Sequence, residues 1–465
     1  MTRYHGRMNP RTTRFAPSPS GLLHLGNART ALFSLLAALP DGRFLLRIED
    51  SDRARVSPAF EEALRADLRW LGFGPHMDEA AALRQSQRAP VYDEYLEKLR
   101  AQRVVYPCFC TEDELGAERA RLRAQGLPPR YLGRCASIHP TVAQKRIAAG
   151  EAPVWRFRVM EGEEITFHDV VRGPQHVATT LLGDFVVRRA KGDAMFFFAN
   201  ALDDALSGVT LVLRGEDHLA NTPRQILILR ALKLPVPEYG HLPLVLSEAG
   251  VPLSKRDGAG SLAALREEGF LPLAVVNYLA RLGAVVGSDR LLPLTELARL
   301  FDCRRIGHAP AHYDREQLLH WQRLAMAETP LSEWVPLVAH RVPEPDRLRF
   351  VEATRPNALF PGDYRRWADI LYGDPEPLDA AARAALAAVG GEFFRAAAAH
   401  LDAGGAAGDL PSVLKDAGYG GKRLFHALRA ALTGRLAGPE LKDILALMPR
   451  ALTMRRLARI RDEGC

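Results

Sequence analysis

The feature that most constrains the fold is a strand, a tight loop, a helix and a second strand within the first 50 residues. Thr13–Ala16 reads as a short strand that ends at the proline- and glycine-containing loop after Pro17. A helix with leucines at helical spacing follows from Asn27, and Phe44–Glu49 supplies a second apolar strand. This order predicts a β-α-β unit in a parallel, doubly wound sheet. Such sheets usually bind a nucleotide beyond the carboxyl ends of their strands.

The length and composition predict a multidomain protein without a membrane span. The chain has 465 residues, more than one ordinary core holds, and 47% of them are hydrophobic and 25% charged. Its apolar runs are shorter than the roughly 20 residues that cross a bilayer, and its basic start lacks the apolar segment of a secretory signal. We therefore expect a cytoplasmic protein. The net charge of +7 weakly favours a polyanionic partner.

The pattern along the chain predicts an interrupted α/β domain followed by helices. Residues from Tyr106 to about Thr180 break the alternation of strands and helices, so we interpret them as an insertion. The alternation resumes with an apolar strand in 208–217 and a helix from Thr222. Beyond Gly258 the spacing of apolar residues is helical, which predicts that the last third is all-α.

Two distant loops carry residues that suit a phosphate site. The first, 17–27, leads into a helix and places His24 and Asn27 three residues apart, near the helix N-terminus where anions bind. A lone histidine is more often a buried, hydrogen-bonded residue. The second loop, 250–258, carries a polar and basic run between glycines: Ser254, Lys255 and Arg256. Two such loops in one split α/β domain favour phosphate binding over chance.

The two loops resemble the paired signatures of class I aminoacyl-tRNA synthetases. HLGN at 24–27 is similar to the HIGH signature, and LSKR at 253–256 is similar to KMSKS in the basic form typical of glutamyl members. Four further segments occur in the order and spacing of glutamyl-tRNA synthetases: TRFAPSPSGLLHLGNARTALF, RIEDSD, QSQR and LRGEDHLANTPRQIL. The resemblance covers most of residues 13 to 285 and is highly specific.

The resemblance implies an ATP-dependent ligase that activates L-glutamate as its adenylate and transfers it to the 3′ end of tRNA, with AMP and diphosphate as products. It implies a monomer with a Rossmann-type, doubly wound catalytic domain, an inserted acceptor-binding domain and an all-α C-terminal anticodon-binding region. The predicted segments are a first catalytic half at 1–105, an inserted acceptor-stem domain with a zinc knuckle at 106–180, a second catalytic half at 181–240, a stem-contact region with the second signature loop at 241–330, and the anticodon-binding region at 331–465.

By the resemblance, His24 and Lys255 are catalytic and stabilise the phosphates of ATP while Mg²⁺ bridges phosphate oxygens. This chemistry needs positioning and charge stabilisation more than a protein nucleophile. Pro252 stands where the family's second signature usually begins with lysine, so one flanking charge is lost. The residues implied in ATP binding are Ser18, His24, Gly26, Asn27, Ser254, Lys255 and Arg256.

Charged residues at predicted strand ends suit glutamate recognition, which needs a cation for the side-chain carboxylate and an anion for the ammonium group. Structural ion pairs are the ordinary explanation for RIED and RGED, but their shared placement at strand ends favours function. The resemblance implies this glutamate-binding set: Arg14, Ser18, Glu49, Asn200 and Arg214. Phe196 stands where the family commonly has tyrosine, so one hydroxyl is absent.

Three of the five cysteines cluster in a spacing that suits zinc. Cys108, Cys110 and Cys135 resemble the zinc knuckle of some family members, and three thiolates with one further ligand suit tetrahedral Zn²⁺. Tyr131, within YLGRC, and His139 are the candidates for the fourth ligand, and the pattern slightly favours Tyr131. Three unligated thiols in a reduced protein are the alternative. A bound zinc ion would be structural.

The C-terminal segment suits RNA backbone binding. Residues 411–465 contain 11 Lys or Arg against 5 Asp or Glu, and Arg455, Arg456 and Arg459 lie close together on a predicted helix. A solvated helix face commonly explains such a run. Its position, however, matches the helical anticodon-binding region of bacterial glutamyl enzymes.

Other activities stay open at this point. A shorter paralogue attaches glutamate to a modified anticodon base, but the roughly 200 residues after the second loop argue against it. A glutaminyl enzyme would be expected to carry β-barrels there. An inactive tRNA-binding paralogue would have lost the phosphate chemistry of His24 and Lys255. The sequence does not decide whether tRNA-Glu, tRNA-Gln or both are charged.

Overall fold

The structure is a computed structural model that describes residues 10–52, 54–77, 82–251 and 260–463. It contains two compact units, the first made of 1–267 with 275–318 and the second of 268–274 with 319–465. The second signature-like loop lies outside the described residues, and with it Pro252, Ser254, Lys255 and Arg256. No helix in the described part of the chain is long and apolar enough to cross a membrane.

Strands and helices alternate through the first unit. In chain order its described elements are β1 (Thr12–Phe15), α1 (Leu25–Ala38), β2 (Arg43–Ile48), α2 (Pro58–Trp70), β3 (Leu83–Arg84), α3 (Ala89–Ala101), β4 (Val105–Cys108), α4 (Glu112–Ala124), α5 (Pro140–Ala148), β5 (Val154–Phe157), β6 (Glu164–Asp169), β7 (Gly173–Ala178), β8 (Phe185–Arg188), α6 (Phe196–Leu206), β9 (Leu211–Gly215), α7 (Thr222–Ala231), β10 (Glu238–Leu242), β11 (Val245–Leu246), α8 (Leu262–Glu268), α9 (Pro272–Arg281), α10 (Leu294–Leu300) and β12 (Ala311–His312).

The unit begins with the β-α-β arrangement that the sequence predicts. Strands β1 and β2 pair in parallel, with Thr13 opposite Phe44, and α1 connects them. The helix begins two residues before the predicted start at Asn27, because the His24 side chain caps it. Most residues of α1 are buried, as expected for a crossover helix that packs on its sheet.

The order of the parallel strands creates a switch point beside β1. β2 pairs with β3 on one side, and β9 pairs with β10 on the other. The Thr210 amide donates to the Thr12 carbonyl at 2.8 Å, which joins the starts of β1 and β9. The order is therefore β3-β2-β1-β9-β10, and the two halves of the sheet meet between β1 and β9. Doubly wound sheets bind their ligands at the carboxyl ends beside such a point.

The segment from 105 to 188 adds two further groups of strands. β4, β5 and β8 form a separate antiparallel sheet. β6 and β7 form an antiparallel pair, and β6 also joins β10 in parallel, with Asp169 opposite Tyr239. The main sheet therefore continues past β10 into β6, and Asp169 at the end of β6 lies beside β10.

The described elements from 315 onward are all helices, which confirms the predicted all-α C-terminal region. They are α11 (Arg315–Glu328), α12 (Leu331–Val338), α13 (Arg347–Thr354), α14 (Pro361–Tyr372), α15 (Ala380–Ala387), α16 (Gly390–Asp402), α17 (Leu410–Asp416), α18 (Gly421–Thr433), α19 (Leu441–Leu447) and α20 (Arg450–Glu463). Phe393, Leu401, Leu424 and Leu428 recur at helical spacing and are buried in one core. The alanine-rich stretch around α15 and α16 is therefore packed helix, as expected.

Arg456, which the sequence placed in an RNA-binding cluster, is part of this core instead. It is 3% exposed, and its guanidinium donates to three backbone carbonyls, of Ile370, Gly373 and Leu432. These carbonyls lie near the ends of α14 and α18, where helices leave acceptors unsatisfied. Arg456 therefore ties helix ends together through its guanidinium group. Arg455, Arg456 and Arg459 all line one cavity of about 630 Å³.

Candidate active site

A cavity of about 430 Å³ lies at the switch point between β1 and β9. The segments that follow β1, β2, β9 and β10 line it, together with the first turns of α1 and α6. All the predicted ATP- and glutamate-binding residues that the structure describes are in its wall: Arg14, Ser18, His24, Gly26, Asn27, Glu49, Asn200 and Arg214. The fold therefore brings distant parts of the sequence into one space.

His24 is the N-cap of α1, and this role fixes its tautomer. The backbone amides of Gly26 and Asn27 donate to its Nδ1 at 3.1 and 3.4 Å. Because Nδ1 accepts, the proton of a neutral ring is on Nε2. A Cβ at position 26 would lie 3.1 Å from the ring, so glycine allows the ring to lie against the helix start. His24 can therefore present an N–H donor beside a helix N-terminus, where anions bind.

A buried network of polar side chains adjoins the cavity. The Oδ1 atom of Asp204 accepts from Arg14 at 3.0 Å and from Arg47 at 2.5 Å. Arg47 also donates to Glu49 at 3.2 Å and to Asn200 at 2.6 Å. The Asn200 amide in turn donates to Glu49 at 2.5 Å. All five side chains are buried, so each fixes the position of its neighbours.

The two carboxylates of this network have opposite pKa shifts. Burial disfavours the charged form of Asp204, but Arg14 and Arg47 outweigh it and hold the pKa below its usual value. At Glu49 burial dominates and raises the pKa, although Arg47 and Arg14 are near. Asp204 is therefore ionised at neutral pH and balances the guanidinium groups. Burial therefore disfavours the ionised form of Glu49, and a bound cation would favour it.

Arg214 is buried, and no carboxylate of the described residues contacts it directly. Its Nε donates to His241 at 3.2 Å, and its Nη2 donates to Thr222 at 2.7 Å and to Gln225 at 2.6 Å. Its Nη1 makes no hydrogen bond to the described residues. Burial lowers the pKa of Arg214 to about 10, so the group is charged at neutral pH. The cavity wall thus contains a charged donor that lacks an acceptor among these residues.

Arg47 and Asp204, which the sequence motifs did not indicate, connect the side chains of the buried network. Each stands beside apolar residues, Arg47 between Leu46 and Ile48 in β2 and Asp204 before Ala205 in α6, and a charge buried among such residues needs a partner. That requirement is the signal that could have identified them. The neighbouring Asp203 fixes the QSQR segment, since it accepts hydrogen bonds from three side chains, of Gln85, Arg88 and Tyr92.

Phe196 forms an aromatic part of the cavity wall. Its ring stacks with that of His218, with centroids 5.2 Å apart. Burial lowers the pKa of His218, which favours the neutral ring at neutral pH. The wall therefore offers a ring face at the position where the family commonly has a tyrosine hydroxyl.

The three clustered cysteines and Tyr131 lie together. The three sulfur atoms are within 4.8 Å of one another, and those of Cys110 and Cys135 are 3.6 Å apart. The Tyr131 hydroxyl is 3.5 Å from the sulfur of Cys108 and 3.7 Å from that of Cys110. Around a tetrahedral zinc ion two sulfur ligands are roughly 3.8 Å apart, and a sulfur and an oxygen ligand roughly 3.5 Å. The three distances of 3.5, 3.6 and 3.7 Å agree with these spacings.

His139, the other candidate for the fourth ligand, caps a helix instead. Its ring accepts from the Thr141 amide at the start of α5 and lies 2.8 Å from the Thr141 hydroxyl. In the described ranges, the cluster of potential His, Cys, Asp and Glu ligands at this place contains three cysteines and not His139. Tyr131 is therefore the candidate that lies at the cysteines.

Known families and relatives match nearly the whole chain. The family "tRNA synthetases class I (E and Q), catalytic domain" matches residues 11–320, and the family "Anticodon binding domain" matches residues 338–461. Glutamate–tRNA ligase 2 of Alkalilimnicola ehrlichii is 49% identical over 97% of each chain. Glutamate–tRNA ligase 2 of Nitrosococcus oceani is 48% identical over 97% of this chain and 98% of its own.

A solved structure is also similar over the full length. The crystal structure of a glutamate tRNA ligase from Elizabethkingia meningosepticum in complex with its amino acid has a TM-score of 0.83 and 28% identity, and it covers 98% of this chain and 99% of its own. This likeness confirms the predicted Rossmann-type α/β fold with a helical C-terminal region. The two families match in the expected order, and the relatives are nearly equal in length to this chain. The chain therefore belongs to the glutamate–tRNA ligase family of class I tRNA synthetases.

Proposed function

We propose that the chain activates L-glutamate with ATP and transfers the glutamyl group to the 3′ end of tRNA. The observation that carries this proposal is the make-up of the cavity at the switch point. The charged Arg214 side chain, the buried Glu49 and the His24 ring at a helix N-terminus all belong to one wall, and Arg214 Nη1 has no hydrogen-bond partner among the described residues. An amino acid with a second carboxylate, held next to a nucleotide phosphate, is the ligand pair that these groups suit.

The balance of charges supports glutamate as the amino acid. Within the buried network, the guanidinium groups of Arg14 and Arg47 are matched by the carboxylates of Glu49 and Asp204. We assign Arg214, a charged side chain of the cavity wall, to the side-chain carboxylate of the substrate, and Glu49 to its ammonium group. Arg14, Ser18 and Asn200 complete the glutamate site. The neutral amide of glutamine would lack the charge-assisted bond to Arg214, so it should bind more weakly.

In the first step an oxygen of the glutamate α-carboxylate attacks the α-phosphorus of ATP, and diphosphate leaves. His24 donates from Nε2 to a phosphate oxygen, and Lys255 neutralises charge on the departing diphosphate. The ATP site is completed by Ser18, Gly26, Asn27, Ser254 and Arg256. Mg²⁺ that arrives with ATP would supply further charge neutralisation. In the second step a terminal ribose hydroxyl of tRNA attacks the carbonyl of the adenylate, and AMP leaves.

A structural zinc ion is part of the same proposal. Cys108, Cys110, Cys135 and Tyr131 would hold it, which the spacing of three sulfur atoms and one hydroxyl oxygen supports. The ion would tie the end of β4 to the segment around Cys135. Its chemistry would be structural, since four protein ligands leave no open position for a substrate.

The test is glutamylation of purified tRNA-Glu and tRNA-Gln side by side, with ATP, Mg²⁺ and labelled glutamate, and with labelled glutamine as the control. Charging of tRNA-Glu alone would identify a discriminating ligase, and charging of both or of tRNA-Gln would indicate an indirect route to glutaminyl-tRNA. Charging of neither would overturn the proposal and favour transfer to a modified anticodon base or an inactive paralogue. The match of residues 338–461 to an anticodon-binding family supports charging.

A further inference from the structure

Asp169 and His241 form a buried hydrogen-bonded relay with Arg214. The Oδ2 atom of Asp169 lies 2.5 Å from His241 Nδ1, and both side chains are fully buried. Asp169 Oδ1 also accepts from three backbone amides, of Val171, Arg172 and His241. Burial opposes ionisation of Asp169, but His241 and these amides outweigh it and lower its pKa. An ionised carboxylate can only accept, so the proton of the His241 ring lies on Nδ1.

This tautomer makes His241 Nε2 an acceptor for Arg214. Arg214 Nε is 3.2 Å away, and the Thr222 hydroxyl, which accepts from Arg214, is 3.0 Å away. Gln225 is a further acceptor, so three uncharged side chains bind the Nε and Nη2 groups of Arg214. The two N–H donors on Nη1 are not used by any described residue.

An uncharged anchor suits a cation that has to bind an anion. A carboxylate in direct contact would hold Arg214 equally well, but it would neutralise the guanidinium and compete with the substrate carboxylate. Burial lowers the pKa of His241, so the ring is neutral at neutral pH. The relay therefore orients Arg214 through hydrogen bonds, and none of the side chains that make these bonds neutralises the charge of Arg214.

We propose that Asp169 and His241 are positioning residues for amino-acid recognition. Asp169 sets the tautomer of His241, and His241 fixes the guanidinium plane of Arg214 so that Nη1 meets the side-chain carboxylate of the substrate. This inference rests on the proposed role of Arg214 in glutamate binding. Neither residue is in the lining of the cavity, so loss of the relay should change the KM for glutamate and leave the KM for ATP unchanged.

A matched pair of variants at one position tests the relay. In H241Q the amide oxygen can take the place of Nε2 and accept from Arg214, whereas the contact to Asp169 is lost. In H241N the side chain can still reach Asp169, but no acceptor faces Arg214. The KM for glutamate, measured by tRNA charging at saturating ATP and tRNA, should rise about tenfold in H241N, the size of one hydrogen bond to a charged group. It should stay within about threefold of wild type in H241Q.

A second route reaches the same readout if H241N does not fold. In D169N the side-chain oxygen can keep the backbone amides while the NH₂ faces His241, which moves the ring proton to Nε2 and sets donor against donor at Arg214. The KM for glutamate should again rise about tenfold, with an unchanged KM for ATP. Thermal unfolding of each variant separates this effect from a loss of structure.

The outcomes separate the relay from the role of Arg214 itself. If R214A leaves the KM for glutamate unchanged, the proposed substrate contact is wrong. If R214A raises it but H241N and D169N do not, the contact stands and the relay is wrong. Equal damage from H241Q and H241N would also overturn the relay, because it would indicate a packing role. In an R214K background, which lacks the Nε–H, H241N should add less than about twofold.

Discussion

Replacement of Asp204 by asparagine should strongly destabilise the first unit. Asp204 Oδ1 accepts from Arg14 and Arg47, and none of the three side chains is more than 5% exposed. Asparagine keeps the shape and one acceptor oxygen but removes the charge. In this variant Glu49 would be the remaining carboxylate of the network that could balance the charges of Arg14 and Arg47.

The expected loss follows from the two contacts. At an effective dielectric constant of about 20, each pair of unit charges about 4 Å apart interacts by roughly 4 kcal/mol, so two pairs give roughly 8 kcal/mol. Asparagine avoids the several kcal/mol that burial of a carboxylate costs. The difference is about 3 to 5 kcal/mol in the free energy of unfolding, the range measured when one partner of a buried pair is removed.

Urea titration at pH 7, with hydrogen exchange of peptides from β2 and α6, measures this loss in the first unit. The control is Asp52→Asn, because Asp52 and its partner Arg55 are 62% and 80% exposed and such pairs contribute less than about 1 kcal/mol. The folded pKa of Asp204 is lowered, so its contribution is present above the unfolded pKa of about 3.9 and is lost as pH falls through the folded value. The reasoning is refuted if the loss at pH 7 is below about 1 kcal/mol, or if the two proteins do not converge in acid.

Three further predictions concern the site and the cysteine cluster. Burial raises the folded pKa of Glu49, so its ionisation lowers the stability of the fold as pH rises above about 4.3. E49Q should therefore melt at or above the wild-type temperature at pH 7, while glutamate-dependent ATP–diphosphate exchange falls at least about 100-fold. A melting temperature below that of wild type would contradict the sign of this pKa shift. K255A should slow adenylate formation with little change in tRNA affinity, and an unchanged single-turnover rate would remove Lys255 from the mechanism. Elemental analysis of purified protein should find about one zinc per chain. Y131F should lower that zinc content and H139A should not. If H139A lowered it and Y131F did not, His139 and not Tyr131 would be the fourth ligand.

The motif residues show how far sequence reasoning reached. Arg14, His24, Glu49 and Arg214 were identified because they stand at strand ends or at a helix start, and all four line the cavity. The N-cap role of His24 was not predicted, since it depends on the ring folding back onto two amides. His139 and Tyr131 stood as alternatives until the chain placed one at a helix start and the other at the sulfur atoms.

The sequence by itself determined the β-α-β start, the all-α C-terminal region and several residues of the cavity wall, because strand ends, helix starts and signature loops are local patterns. Only the tertiary structure decided how these residues are supported. Arg47 and Asp204 are distant in sequence from each other, and Asp169 reaches Arg214 through His241 because β6 and β10 are neighbours in the sheet. The buried position of Arg456 has the same cause, since its carbonyl partners lie at helix ends that are distant from it in sequence. Burial and partner choice depend on long-range packing, which no local pattern encodes.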